Sequence, residues 1–293
     1  MLPRPNSMLT TGRLIRSVIL LALTQTPAVV AYPATAQAGV QTGGAQGRSV
    51  PGTQSSAQPA VDSGAAASQM APVPFGAGER MDYDVRYLGG KKGVGSMEVK
   101  EITDVRGRPT WHTVFKVEGQ VIFLINVNIK LESWFDVATL NSLRFHQDQR
   151  YTGTKKIQTI EIFPERGMYK EDKLEERVTV QDPLDDGSFL YFVRSIPLEV
   201  GKEYSFQRYY KPDKNPVKIK VVRRETVKTP AGEFKTLVLR PEIKSGGLFA
   251  EGKAEVWITD DAVRMVVKLE SDLPVGTISL WLTKYKLGTP IKP

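Results

Sequence analysis

Ile125-Asn126-Val127-Asn128-Ile129-Lys130-Leu131-Glu132 sets a branched apolar residue against a polar one at every second position. Successive side chains of an extended chain point to opposite faces, so this stretch reads as a β-strand with one buried face and one wet face. The same period runs through Met81, Tyr83, Val85 and Tyr87, which alternate with Asp82, Asp84 and Arg86, and through Ile219 and Val221 beside Lys218 and Lys220. Ile157, Ile160 and Ile162, then Phe234, Leu237 and Leu239, then Val256 and Ile258, then Val263 to Leu269 and Ile278 to Leu282, continue it. Turn signals separate the runs: Gly89-Gly90, Arg106-Gly107-Arg108-Pro109, Tyr151-Thr152-Gly153-Thr154, Pro164-Glu165-Arg166-Gly167, Pro230-Ala231-Gly232 and Asp260-Asp261. Many short strands with regular turns predict a mainly β protein, an antiparallel and strongly curved sheet arranged as a sandwich or barrel. Strand–helix alternation is missing, which excludes a doubly wound nucleotide-binding fold.

One short helix is predicted near residues 183–196. Asp182 serves as its cap, Pro183 suits the first helical position, and Asp185 and Asp186 suit the positive end of the dipole. Phe189, Tyr191, Phe192, Val193 and Ile196 give it a wide apolar face, and Pro197 and Gly201 end it.

Outward from this body, the first 38 residues carry Arg4, Arg13 and Arg16 but no acid, then a short apolar run from Val18 to Leu23, and finish Ala34-Thr35-Ala36-Gln37-Ala38. That order is the order of a secretory signal peptide, with cleavage expected after Ala38 and Ala36 as second choice. Thr24 to Pro27 interrupts the apolar run, short of the roughly 20 residues that a spanning helix needs. No transmembrane helix is expected after cleavage, and the expected location is periplasmic or secreted. Residues 39–76, rich in Gly, Ala, Ser and Pro, lack an apolar period and read as a disordered linker. The β-rich domain is expected over 77–287, with a tail at 288–293.

The formal net charge of +8 falls to +5 once the signal is removed, 37 basic residues facing 32 acidic ones, so the basic excess gives no argument for nucleic acid. With no cysteine in 293 residues, disulfides, thiolate metal sites and a Cys nucleophile are excluded. Two histidines, His112 and His146, exclude a three-histidine site and show no metal-ligand spacing, so neither a metal nor another cofactor is expected. Gly90-Lys91-Lys92-Gly93-Val94-Gly95-Ser96 has the wrong order for a phosphate loop and leads into a strand. Ser195 has no Gly-x-Ser-x-Gly elbow around it. The acids at Glu171, Asp172, Glu175 and Glu176 and at Asp182, Asp185 and Asp186 suit a solvated edge and a helix cap.

In order and spacing, several pieces resemble the exported bacterial domain-of-unknown-function family 3108. They are Gly78-Glu79-Arg80-Met81-Asp82-Tyr83, Trp134-Phe135-Asp136 with Thr139-Leu140, and Asp182-Pro183-Leu184 with Tyr191, Arg194, Pro197, Leu198 and Gly201. Pro230-Ala231-Gly232-Glu233-Phe234 and Val256-Trp257-Ile258-Thr259-Asp260-Asp261 complete the set. The resemblance implies an exported β-rich domain and no reaction.

Three functions follow as expectations. The first is a non-catalytic binding module for an apolar or amphipathic cell-envelope ligand such as a lipid, lined by Tyr191, Phe249, Trp257 and Trp281. In it, Ser245 to Gly252 puts Leu248-Phe249 at a glycine-flanked tip, and Arg208, Lys211, Lys218 and Lys220, interleaved with tyrosines, offer an anionic-surface contact. The second is an assembly protein that binds an envelope protein through a sheet edge. The third is a cell-wall glycan hydrolase with two facing acids.

Overall fold

A computed structural model describes residues 73–121, 125–244, 253–273 and 276–289. The signal segment, the linker up to residue 72, and Phe249 with its tip lie outside the described residues. The chain forms strands β1 (Arg80–Tyr87), β2 (Gly90–Val105), β3 (Arg108–Val121), β4 (Ile125–Asp136), β5 (Ser142–Tyr151), β6 (Thr154–Phe163), β7 (Met168–Glu171) and β8 (Arg177–Val178). After helix α1 (Ser188–Ser195) come β9 (Glu203–Phe206), β10 (Val217–Thr229), β11 (Gly232–Glu242), β12 (Ala254–Thr259), β13 (Val266–Leu273) and β14 (Gly276–Lys286).

These strands build one 14-stranded sheet in the order β8-β7-β6-β5-β4-β3-β2-β1-β14-β13-β12-β11-β10-β9. Every neighbour is antiparallel, because each pair except β1–β14 is joined directly in sequence. The expected curvature is present, but the sheet neither closes strand to strand nor splits into a sandwich. Its two ends return to each other through the chain beside them. Leu184 bridges Tyr209, the Thr179 hydroxyl donates to the Tyr210 carbonyl at 2.6 Å, and Tyr169 of β7 packs edge-on against Tyr210 at 5.2 Å.

The inner face carries the core. Met81, Tyr83, Val85, Trp111, Phe135, Phe145, Ile160, Leu280 and Leu282 are all 2% exposed or less. All eight residues of α1 are buried against it, which explains why the helix has no wet face. The helix is shorter than expected and starts later. Asp185, not Asp182, caps it: its carboxylate accepts the Gly187 and Ser188 amides at 2.7 and 2.9 Å and the Ser133 hydroxyl at 2.7 Å. Asp182 instead accepts the Asn141 amide at 3.1 Å, holding the loop before the helix.

Burial raises the Asp185 pKa to about 6, against the bonds from Ser133, Ser188 and Ser142 that lower it. A folded pKa above the unfolded 3.8 means that the native state holds the proton more tightly. The resulting stability is full below pH 3.8 and is lost as pH rises through about 6. Asp185→Asn should therefore flatten this part of the pH profile. Thermal midpoints measured at pH 4 and pH 7 check it, and an unchanged difference between them in the variant would refute the assignment.

At both ends the packed body reaches outward past 77–287 into the neighbouring segments. Phe75, expected at the end of the linker, is 1% exposed, with its ring against Trp111, Tyr191 and Phe135 at 5.5, 5.0 and 6.3 Å. Thr289, expected in the tail, pairs with Ala77, and a side chain at Gly288 would sit 2.1 Å from the Gly76 carbonyl oxygen. Only glycine allows that approach.

The sheet edges are blunt. β8 has two residues and β9 has four. Beyond Val221, β10 has a strand neighbour on one side only, and its bare margin carries Arg223, Arg224, Glu225 and Lys228, charges that discourage strand addition.

Candidate functional site: an amphipathic stretch of the inner face

Register places a set of side chains together that sequence alone leaves far apart. On β3 and β4, Phe115 faces Leu131, Val117 faces Ile129 and Gly119 faces Val127. On β4 and β5, Leu131 faces Gln147, Ile129 faces Gln149 and Val127 faces Tyr151. On β5 and β6, Gln147 faces Gln158 and Gln149 faces Lys156. All share the parity of Phe145 and Ile160, which are buried in the core, so all point inward.

Two walls of different chemistry meet there. The β3–β4 wall is apolar. The β5–β6 wall is a hydrogen-bonded relay: Tyr151 Oη donates to Gln149 Oε1 at 3.1 Å, Gln149 Nε2 to Gln147 Oε1 at 2.8 Å, and Gln147 Nε2 to Gln158 Oε1 at 2.8 Å. Burial pushes the Tyr151 hydroxyl up to about 12, which keeps it a donor.

Exposure varies along the inner face. Trp111, Phe135 and Phe145, near α1, are sealed, whereas Phe115, Val127, Ile129 and Leu131, further along the same strands, are only half-buried. Gln149, Lys156 and Gln158 are half-buried too. These inward-facing side chains still meet solvent toward the end where β3 joins β4 and β5 joins β6, while Val117 and Tyr151 between them are buried. Gly93 and Gly119 face each other close by, and a side chain on Gly93 would lie 2.2 Å from the Glu118 carbonyl oxygen. The two backbones approach this closely because neither residue carries a Cβ.

Charged groups border the polar wall. Lys211 Nζ lies 2.5 Å from Glu171 Oε1. Tyr209 Oη donates to Asp186 Oδ1 at 3.2 Å. Burial raises the Asp186 pKa, and burial followed by the repulsion of Lys211 lowers that of Lys156.

The expected site residues are placed differently from one another. Tyr191 lies in the interior on α1 at 2% exposure, beside Phe75 and Phe135. Trp257 and Trp281 do not line the interior: they pair with Lys268 in one cross-strand row, opposite in parity to Val256, Leu269 and Leu280. Their rings flank the Lys268 ammonium at 4.0 and 4.5 Å on the outer face. Their neighbours Val256, Ile258, Leu280 and Leu282 occupy the inner face, and Trp257, at 2% exposure, is buried from the other side. Nor do the four basic candidates form one patch. Arg208 is spent on the Asp182 carbonyl and Asn141 at 2.8 Å each, with its guanidinium over Phe192. Lys211 is tied to Glu171 and Lys218 to Glu203, at 2.5 and 3.5 Å, and Lys220 is exposed on β10.

The histidines lie on the outer face on either side of Glu132, which is the cross-strand partner of His146. His112 stacks on Trp134 at 4.5 Å and meets Glu132 at 3.3 Å, while His146 meets Thr159 at 2.9 Å. Among the described residues no three His, Asp or Glu side chains converge on a metal position.

The profile of the family described as "Protein of unknown function (DUF3108)" matches residues 82–283, most of the chain. The chain belongs to the DUF3108 family. No curated protein matches it. Among solved structures, this DUF3108 protein is similar to a β-barrel-like protein of the domain of unknown function DUF1849 from Brucella abortus. The identity is 10% and the TM-score 0.45, over 75% of this chain and 100% of that one. It is also similar to a "putative lipoprotein" from Parabacteroides distasonis, at 11% identity and TM-score 0.32, over 74% of this chain and 100% of that one. A third likeness is to a "putative exported protein with YmcC-like fold" from Bacteroides fragilis, at 12% identity and TM-score 0.28, over 74% and 99%. Among the described residues of the DUF3108 chain, no helix is long and apolar enough to cross a membrane.

Proposed function

We propose that this DUF3108 protein is an exported, non-catalytic binding module for an amphipathic molecule of the cell envelope, held against the inner faces of β3 to β6. One observation carries the reading: half-buried Leu131 and Ile129, flanked by Phe115 and Val127, stand directly across from the hydrogen-bonded glutamines Gln147 and Gln149 on the same inner surface. Apolar surface left facing inward gains about 25 cal/mol per Å² when an occupant covers it. The glutamine wall offers the polar contacts that fix orientation, the usual division of labour in a ligand pocket. The charged margin of β10 and the short β8 and β9 favour this reading over strand addition at an edge.

Protein purified without detergent should carry such a molecule. Solvent extraction and mass spectrometry are expected to find one amphiphile from the native chain and none from Ile129→Asp/Leu131→Asp. Clean extracts from both, or the same molecule from both, would overturn the proposal.

A further inference from the structure

Lys156 is an inward-facing ammonium that forms no direct ion pair among the described residues, although the carboxylates of Asp186 and Glu171 act on it from a distance. It stands on the inner face of β6 opposite Gln149, half-buried, and among the described residues it has no ion pair and no side-chain hydrogen bond. The other groups around it are committed. Lys211 is paired with Glu171 at 2.5 Å, and Asp186 accepts the Tyr209 hydroxyl at 3.2 Å. Burial and then the nearby Lys211 lower the Lys156 pKa, and the attraction of Asp186 and Glu171 offsets this only in part, as expected of an ammonium group that has lost water and made no direct contact with an anion. A cation in that position is stabilised by any anion that enters with its own apolar shield.

The geometry points to the head group: we infer that the occupant is an acyl or alkyl chain ending in a single anionic group, carboxylate or phosphate, which pairs with Lys156 while the chain lies along Ile129, Leu131 and Phe115. The inference rests on the binding reading above and adds the sign and position of the ligand's charge. The register gives the polarity of the bound molecule. Gln149 and Lys156 form one cross-strand pair, and Ile129 faces Gln149 from the other side, so head and tail sit across the β4–β5 boundary. Gln147 and Gln158, one pair further toward the helix, add neutral amides beside the anion.

Displacement of a fluorescent fatty acid from the full-length protein, stripped of lipid, tests it with dodecanoate, dodecyl phosphate and dodecanol. A charge-assisted contact should make at least one of the anions bind about tenfold or more tightly than the alcohol, and the tighter of the two names the head group. Lys156→Met should bring the anions to the level of dodecanol while dodecanol binding stays as in the native chain, and Lys156→Arg should restore the preference. Equal binding of all three by the native chain, or a preference that survives in Lys156→Met, overturns the head-group assignment and leaves the binding module standing. Failure of the native chain to bind any of the three overturns both.

Discussion

Arg194→Met should cost the fold about 3–5 kcal/mol, because it leaves the Glu79 carboxylate buried without its counter-ion. For a domain of this size that corresponds to a fall in thermal midpoint of roughly 6–20 °C. Both side chains are almost wholly out of solvent, at 0% and 2% exposure, and they meet through two parallel bonds of 2.7 and 2.8 Å. Arg194 also donates to the Val263 carbonyl at 3.1 Å. The pair thus ties three separate segments together: the start of β1, the end of α1 and the connection from β12 to β13. Replacing both partners, Glu79→Leu with Arg194→Met, should recover most of the loss, since no charge is then stranded. Urea denaturation of the native chain and these two variants measures this. A single variant as stable as the native chain would mean that Glu79 finds water or another donor, and the pair would not be the clasp described.

The second large effect concerns the amino-terminal boundary. A chain starting at Gly76 should be less stable than one starting at Val73 by about 3 kcal/mol, near the lower end of the range for removal of a buried phenylalanine. Phe75 fills the space between Trp111, Phe135 and Tyr191, with the Arg194 guanidinium over its ring at 5.4 Å. Trp111 Nε1, Tyr191 Oη and Arg194 Nε nearby are buried with no protein partner, so the vacated space has polar groups that water can satisfy. That softens the penalty relative to a dry cavity. Equal stability of the two chains would put the domain start after Phe75 and make its packing incidental.

The strands were legible because one face of each is buried and the period of two survives in the sequence. Met81-Asp82-Tyr83-Asp84-Val85 and Ile129-Lys130-Leu131-Glu132 needed no long-range information. The helix start was misread for a local reason. Asp182-Pro183 and Asp185 are equally good caps by residue type, and the choice fell to Ser133 and Ser142, which come from distant strands. Residue type alone does not place Trp257 and Trp281, whereas parity does: Val256 and Ile258 claim the inner face of β12, as Leu280 and Leu282 do in β14. The amphipathic wall was half visible. Ile129 and Leu131 were read as buried, but nothing local tells them apart from core residues. A signal existed in β5, where Gln147 and Gln149 share the parity of Phe145 and Tyr151, putting amides where a sealed core would have apolar groups. Only the pairing of β4 with β5 brings the two halves together.

The seam between β1 and β14 is the one contact in the sheet made by strands remote in sequence. A chain synthesised from its amino terminus has all of β1 to β8 available as a meander before the strand that completes it exists. Until then β1 is an open margin eight residues long, with Met81, Tyr83, Val85 and Tyr87 on its inner face and Arg80, Asp82, Asp84 and Arg86 on its outer face. Newborn copies that meet at that stage can therefore trade their last strands, so the yield of correctly sealed protein should fall as the concentration during refolding rises.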